Sequence, residues 1–350
     1  ICIMSYELKT PFDNKIITIP DKTGKDTIIA AIESSCDEMA FAIVKNGREV
    51  LANVVASQID THKKYGGVVP EVAAREHLNS VAMVIEEGFN QANLKGEDIT
   101  AFASTIGPGL VGSLIVGANA AKALSIAYNK PFIGVNHLKA HVCANYIDTD
   151  LKPPFIALLV SGGHTQILKV DDYDSQTILG GTIDDAIGEV YDKVARLMDI
   201  EYPGGPNLDK MAQLGNKNRF QFTKAKVDEF DFSFSGTKTA VLYLIQKLKK
   251  EYGDDYPKND VAASFQENVT SILYNKTINA AKKYKINQIV LAGGVAANSE
   301  IRKKFFDTKE FQIYAPKMKY CTDNASMVAS CAYFLNNDMN SLDVEVFSRL

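Results

Sequence analysis

No two cysteines of this 350-residue chain stand as a CxxC pair; its five, Cys2, Cys36, Cys143, Cys321 and Cys331, are odd in number and scattered. That spacing signals neither a zinc knuckle nor a disulfide framework, and it suits a reducing compartment. A basic surplus is missing as well. Lys and Arg number 38 against 42 Asp and Glu, a net charge of −4, so any nucleic-acid contact must use a local patch or a partner's surface. Long apolar runs are also lacking: Gly112 to Tyr128 is interrupted by Asn119 and Lys122 and reads as too short and too polar to cross a bilayer. The first 26 residues show no apolar periodicity, no signal-peptide core and no Arg, and carry Glu7, Asp13, Asp21 and Asp26, unlike a mitochondrial presequence. They read as a loose or non-native extension, with the domain opening near Thr27. What is present is ordinary globular composition, 46% apolar and 23% charged, over a length that suits two lobes.

The chain alternates strands and helices, which predicts a largely parallel sheet with buried faces. Thr27 to Glu33, a polar tip, and Met39 to Val44 read as a hairpin turning back at Lys45-Asn46-Gly47. Pro154 to Val170 repeats that plan about 130 residues later, as a duplicated domain would. Between them lie a helix over Val72 to Phe89, a strand over Ala101 to Ile106, a small-residue helix over Leu110 to Tyr128 and a strand over Pro131 to Val135. Helices follow over Ile183 to Met198, Thr237 to Glu251 and Val261 to Tyr284, then a strand over Gln288 to Ala292 and a helix over Asp323 to Leu335. Five glycine doublets occur, and two of them, in SGGHT (Ser161 to Thr165) and LAGGVAAN (Leu291 to Asn298), directly follow apolar strands. Ligands of α/β sheets bind beyond the carboxyl ends of such strands, so these two point to phosphate or nucleotide. Ordinary turns account for others.

The sharpest local signal is His137-Leu138-Lys139-Ala140-His141, directly after a strand. Imidazoles at i and i+4 share one helix face and can share one metal ion. With a single distant carboxylate they would make a two-His, one-carboxylate site with open positions; the alternative is two polar residues with ordinary hydrogen bonds. Zinc proteases place a Glu where Leu138 stands, which disfavours peptidase chemistry. Glu33-Ser34-Ser35-Cys36-Asp37-Glu38 packs acids and hydroxyls into a hairpin tip, fit for a proton acceptor or for a solvated turn. Gly107 to Gly112 opens a helix whose free N–H groups suit an anion, or else marks close packing. Tyr202-Pro203-Gly204-Gly205-Pro206 reads as a rigid turn. The runs at Lys247 to Lys250, Lys282 to Lys285 and Arg302 to Lys304 are candidate RNA contacts or solvated helix faces.

Ten ordered segments together resemble the TsaD/Gcp/OSGEP family of tRNA threonylcarbamoyladenosine transferases, from about Thr27 to Asn336. They are ESSCDE (Glu33 to Glu38), YGGVVPEVAAREH (Tyr65 to His77), GPGLVGSL (Gly107 to Leu114), NHLKAH (Asn136 to His141), VSGGHT (Val160 to Thr165), DDAIGEVYDK (Asp184 to Lys193), YPGGP (Tyr202 to Pro206), FSFSGTKTAV (Phe232 to Val241), LAGGVAAN and CTDNASM (Cys321 to Met327). Met39 and Ala140 depart from the usual Thr and Gly, and Met39 puts any hydroxyl role there in doubt. The resemblance implies a two-lobed, duplicated α/β fold of the actin/Hsp70/sugar-kinase (ASKHA, ribonuclease H-like) type with a cleft between lobes. Residues 27–135 with 324–350 would form one lobe and 136–323 the other, with a helical insertion over about 183–285. It implies transfer of a threonylcarbamoyl group from threonylcarbamoyladenylate to N6 of the adenosine at position 37 of tRNAs reading ANN codons, with release of AMP.

The positions that match the family's metal ligands are His137, His141 and Asp323, holding one divalent ion per subunit, with iron the usual assignment and zinc or magnesium sometimes found. On its own, Asp323 reads as the N-cap of the last helix. Leu159, Val160, Ser161, Gly162 and Gly163 match contacts to phosphate and acyl group; Asp192, Gly205, Asp209 and Asn298 match contacts to the nucleoside. Asp37 or Glu38, from their place at the hairpin tip, are the expected proton acceptors. Implied partners are tRNA, a paralogous TsaB-like subunit and a TsaE-like P-loop ATPase, in the cytoplasm with no membrane. The rival readings are an ATP-dependent kinase or ATPase of the same superfamily, a non-catalytic subunit and a metallopeptidase.

Overall fold

The computed structural model describes residues 4–223, 225–335 and 340–349; Cys2 and Asn336 lie outside them. The chain divides into two compact units, residues 1–153, 172–174 and 316–350, and residues 154–171 and 175–315.

In the first unit, β1 (Tyr6–Lys9) and β2 (Ile16–Ile19) pair antiparallel. Tyr6, Leu8 and Ile19 are buried, and the Tyr6 hydroxyl donates to the Ala332 carbonyl. Much of the stretch expected to be loose is therefore an ordered hairpin, anchored by alternate apolar side chains. β3 (Ile28–Glu33), β4 (Glu38–Lys45) and β5 (Glu49–Ser57) form an antiparallel meander. After α1 (Ile59–Lys63) and α2 (Pro70–Ala92), β6 (Ala101–Gly107), α3 (Val111–Tyr128) and β7 (Phe132–Asn136) extend the sheet in parallel, giving the order β5-β4-β3-β6-β7. α4 (His137–Cys143) follows β7 without a loop. The strand β5 was not expected; its exposed and half-buried residues carry no clean alternation.

α3 reaches 18 residues with a mean hydropathy of 1.3, long and apolar enough by composition to cross a membrane. This corrects the expectation that the segment is too short and too polar. It packs on β6, β3 and α2, with Ser113, Leu114, Gly117, Ala118, Ala121 and Ser125 buried, which accounts for its small apolar residues.

The second unit repeats the plan. β8 (Phe155–Val160), β9 (Thr165–Asp172) and β10 (Ser175–Gly181) come first, then α5 (Ile187–Leu197), α6 (Gly204–Ala212), α7 (Ser235–Tyr252) and α8 (Lys258–Tyr284). β11 (Gln288–Ala292), α9 (Ser299–Phe306) and β12 (Gln312–Tyr314) complete it. The order β10-β9-β8-β11-β12 is that of the first sheet: third, second, first, fourth and fifth strand. The helix expected from Ile183 begins only at Ile187, because Asp184 is used elsewhere. Its carboxylate accepts from Phe234 N (2.9 Å) and Ser233 Oγ (2.5 Å) at the start of α7. YPGGP, expected as a turn only, opens α6.

The chain returns to the first unit as α10 (Ala325–Phe334), which packs against α4. The division between units accordingly falls after Pro153 and before Pro316, not after Val135 and after Asp323 as the sequence suggested. Both histidines of HLKAH and Asp323 thus belong to one unit.

Candidate metal centre and nucleotide loops

β7 delivers its chain directly into α4, whose N-cap is Asn136: the side-chain oxygen accepts from Leu138 N (2.9 Å) and Lys139 N (3.2 Å). That cap fixes the first turn, so His137 and His141 lie one turn apart, edge to face, with ring centroids 4.6 Å apart. The N-cap of α10 is Asn324, not Asp323. Asn324 Oδ1 accepts from Met327 N, which corrects the capping role expected for Asp323 and leaves its carboxylate to the two histidines. Asp323 Oδ1 lies 3.2 Å from Nε2 of His141 and 3.7 Å from Nε2 of His137. One donor atom from each of the three residues lies within 4.8 Å of the others.

The group fits a divalent ion. Bonds of about 2.0–2.2 Å to N and O place neighbouring ligand atoms roughly 3 Å apart, close to the spacing seen. His141 is 1% exposed, and its Nδ1 is buried with no hydrogen-bond partner among the described residues. Burial alone would push the Asp323 carboxyl up, but the imidazoles of His137 and His141 hold it at about 2. Burial would lower His137, yet the charges of Asp323 and Glu33 outweigh it and raise the ring to about 9.

Glu33, at the end of β3, is fully buried. Its Oε1 accepts from Ser35 N (2.6 Å), and its Oε2 from Thr105 Oγ1 (2.5 Å) and from Nδ1 of His137 (3.3 Å). Asp37 is buried, and Glu38 is half-buried at the start of β4. Burial, with the charges of Asp323 and Asp37 beside it, pushes Glu38 up to about 10. One N–H of the Gly107 to Gly112 segment is taken up within the fold, since Leu110 N donates to Ser35 O (2.8 Å). A Cβ on Gly109 would sit 2.6 Å from that same oxygen, so the glycine serves close packing.

In the second unit, β8 ends at Val160 and the chain turns through Ser161 to His164. Ser161 N donates to His164 O (2.8 Å) and His164 N to Ser161 Oγ (3.1 Å). A Cβ added at Gly162 or Gly163 would meet nothing within 4 Å, so this backbone faces open space. Leu159 and Val160 are wholly buried strand residues whose side chains serve the core. The LAGG loop crosses so near β8 that a Cβ on Gly293 (φ 88°) would lie 2.3 Å from Val160 O.

The four residues expected at the nucleoside fall into two hydrogen-bonded pairs, Asp192 with Gly205 and Asp209 with Asn298 through Gln266. Asp192 accepts from Gly205 N (3.1 Å). Asp209 accepts from Ser299 N (3.0 Å), Ser299 Oγ (2.6 Å) and Gln266 Nε2 (2.9 Å). Asn298 caps α9 with its oxygen and donates its Nδ2 to Gln266 Oε1 (2.9 Å). Gln266, 4% exposed, thus joins Asp209 to Asn298, a role no motif announced. It also lines a cavity of about 360 Å³ with Gln213, Lys217, Glu267, Ser299 and Lys303.

Four of the nine basic residues in these runs are ion-paired: Lys249 with Asp199, Lys282 with Glu310, Lys283 with Glu229, and Lys304 with Glu267 and Glu300.

Two units sharing one strand order, each with a glycine loop or acidic tip after its first strand, define a duplicated α/β fold of the actin/Hsp70/sugar-kinase class. Solved structures agree on the fold: full-length HypF in its phosphate- and nucleotide-bound form has a TM-score of 0.60 at 14% identity, over 89% of this chain and 46% of that one. The Acidaminococcus fermentans (R)-2-hydroxyglutaryl-CoA dehydratase component A gives 0.51 at 16% identity, over 88% and 97%. The profile of the TsaD family, tRNA N6-adenosine threonylcarbamoyltransferase, matches residues 49–330. A protein of that name from Thermosipho africanus is 51% identical over 314 residues, 88% of this chain and 94% of its own length. One from Clostridium botulinum is 48% identical over 330 residues, 92% and 97%. The chain belongs to the TsaD family of tRNA-modifying transferases.

Proposed function

We propose that the chain transfers the threonylcarbamoyl group of threonylcarbamoyladenylate to N6 of the adenosine at position 37 of tRNAs reading ANN codons. N6 forms a bond to the carbamoyl carbon while the bond from that carbon to the phosphate oxygen breaks, and AMP leaves with the electron pair. The N6 proton passes to a carboxylate of the acidic tip. Glu38, pushed up to about 10, holds its own proton at neutral pH, which favours Asp37 as the acceptor.

Three residues, His137, His141 and Asp323, would hold the metal, iron by family habit and zinc or magnesium otherwise, which supplies Lewis-acid and template chemistry when bound. Glu33 keeps the His137 ring oriented by accepting from its Nδ1. In the second unit, N–H groups of Ser161 to Gly163 suit the phosphate, and Asp192, Gly205, Asp209 and Asn298 suit the nucleoside. A TsaB-like paralogue and a TsaE-like ATPase, in the cytoplasm, complete the proposed setting.

The observation that carries this reading is the triad of two imidazoles and one carboxylate drawn from remote segments to within 4.8 Å. Mass spectrometry of nucleosides from tRNA incubated with the protein, its partners and the adenylate donor tests it. The reading expects threonylcarbamoyladenosine and AMP in equal amounts; unmodified tRNA would reject it.

A further inference from the structure

Two buried histidines outside the metal centre have no part in the reaction described so far. His62, in α1, and His77, in α2, are both fully buried, and Gln58, 6% exposed, lies between them. Each side-chain polar atom of this group has at least one partner, and backbone groups set the direction of every hydrogen bond. The Gln58 Nε2 is 3.3 Å from the Ala73 carbonyl, which can only accept, so this atom is the amide nitrogen. The same nitrogen lies 2.8 Å from Nδ1 of His77 and must donate to it, leaving that ring's proton on Nε2. His77 Nε2 then donates to the Cys36 carbonyl at 3.0 Å. On the other side, Gln58 Oε1 accepts from Nε2 of His62 at 3.1 Å, and Nδ1 of His62 accepts from Val69 N at 3.3 Å. Both rings are therefore neutral, and both carry their proton on Nε2. Burial, which lowers the His77 pKa, agrees with an uncharged ring.

The chain of bonds ends on the acidic tip. Three successive carbonyls there are gripped from three different elements. Ser35 O accepts from Leu110 N (2.8 Å), Cys36 O from His77 Nε2 (3.0 Å) and Asp37 O from Gln58 N (3.2 Å). Two of those three grips come from the His62–Gln58–His77 group, and the outer one of its histidines also closes the exposed turn after α1, where Tyr65 N and Gly67 N donate to His62 O.

We propose that His62, Gln58 and His77 form a positioning relay that sets the Cys36 and Asp37 backbone, and with it the Asp37 and Glu38 carboxylates, for the transfer reaction. None of the three touches the reacting atoms; each acts through the next. The rate part of this inference rests on the transferase reading, whereas the protonation pattern does not.

The test uses the full chain. Long-range 1H–15N NMR of the wild-type protein should find Nδ1 bare and Nε2 protonated on both His62 and His77; a protonated Nδ1 on either ring overturns the relay. In the reconstituted reaction, His77→Leu should lower kcat by roughly ten- to hundredfold, as small misplacements of a reacting group do. Its KM for tRNA and its bound metal should stay unchanged. His77→Gln, which still offers a donor to Cys36 O and an acceptor to Gln58, should restore kcat to within about threefold of wild type. Wild-type kcat in His77→Leu, or an equal loss in both variants, overturns the proposal. A wild-type protein that makes no modified tRNA would instead reject the transferase reading, and the NMR pattern would decide the relay alone.

Discussion

Glu33 Oε2 stands 3.3 Å from Nδ1 of His137, and that contact keeps the Nδ1 proton in place when the other nitrogen gives up its own to an ion. With the Nδ1 proton donated to a buried carboxylate, Nε2 is left on the side of Asp323. A carboxylate behind a ligating imidazole fixes its tautomer and raises its basicity. Glu33→Gln should therefore weaken metal binding by about 10- to 100-fold, read by competition with a chromophoric chelator. Unchanged affinity would show that Glu33 serves the fold alone.

The pH dependence of metal uptake follows from the raised His137 ring. Its pKa of about 9 means that in the metal-free protein the ring is protonated at neutral pH, and an incoming ion must displace that proton. Calorimetry in buffers of different ionisation enthalpy should find close to one proton released per ion at neutral pH, falling toward none as pH rises through about 9. In stability terms, the metal-free His137 contribution is fully present below about 6.5, the unfolded value, and lost as pH rises through about 9. That of Asp323 is present above about 3.9 and lost as pH falls through about 2.

Gln266 holds Asp209 and Asn298 at once through its two amide atoms. Gln266→Leu leaves the half-buried Asp209 carboxylate and the buried Asn298 amide each short of a partner. The affinity for AMP should fall by about tenfold, the cost of one lost polar contact to a charged group. Bound metal should stay the same. Isothermal titration with AMP checks this, and an unchanged dissociation constant would free Gln266 of any such role.

Two of the three lysines of the 282–285 run are already engaged, Lys282 with Glu310 and Lys283 with Glu229. The double variant Lys282→Ala, Lys283→Ala should change tRNA affinity by less than about twofold and leave the slope against salt unaltered. A flatter slope would return this face to the RNA interface.

How much of this was legible beforehand varies with the range of the interaction. The strand FIALLV with its SGGHT turn, and the HxxxH pair after β7, are local patterns, and the chain displays them in the open. Asp323 lies so far along the chain that spacing could not assign it; resemblance pointed to it, and the packing of α10 on α4 brings it to His141. Gln266 and the His62–Gln58–His77 group escaped because each is a single polar residue on a helix or turn, indistinguishable in sequence from a solvated one. Only burial and partner geometry single them out. The lobe boundary was misplaced for a related reason: the end of β7 reads as a natural break, yet α4 continues straight into the same unit.

The most direct test of the central claim measures metal content and transfer together in His137→Ala, His141→Ala and Asp323→Asn. The account predicts one metal per wild-type chain, lost from each variant along with threonylcarbamoyladenosine formation, while the far-UV circular dichroism stays native. A variant that has lost its metal and still modifies tRNA at the wild-type rate would contradict it.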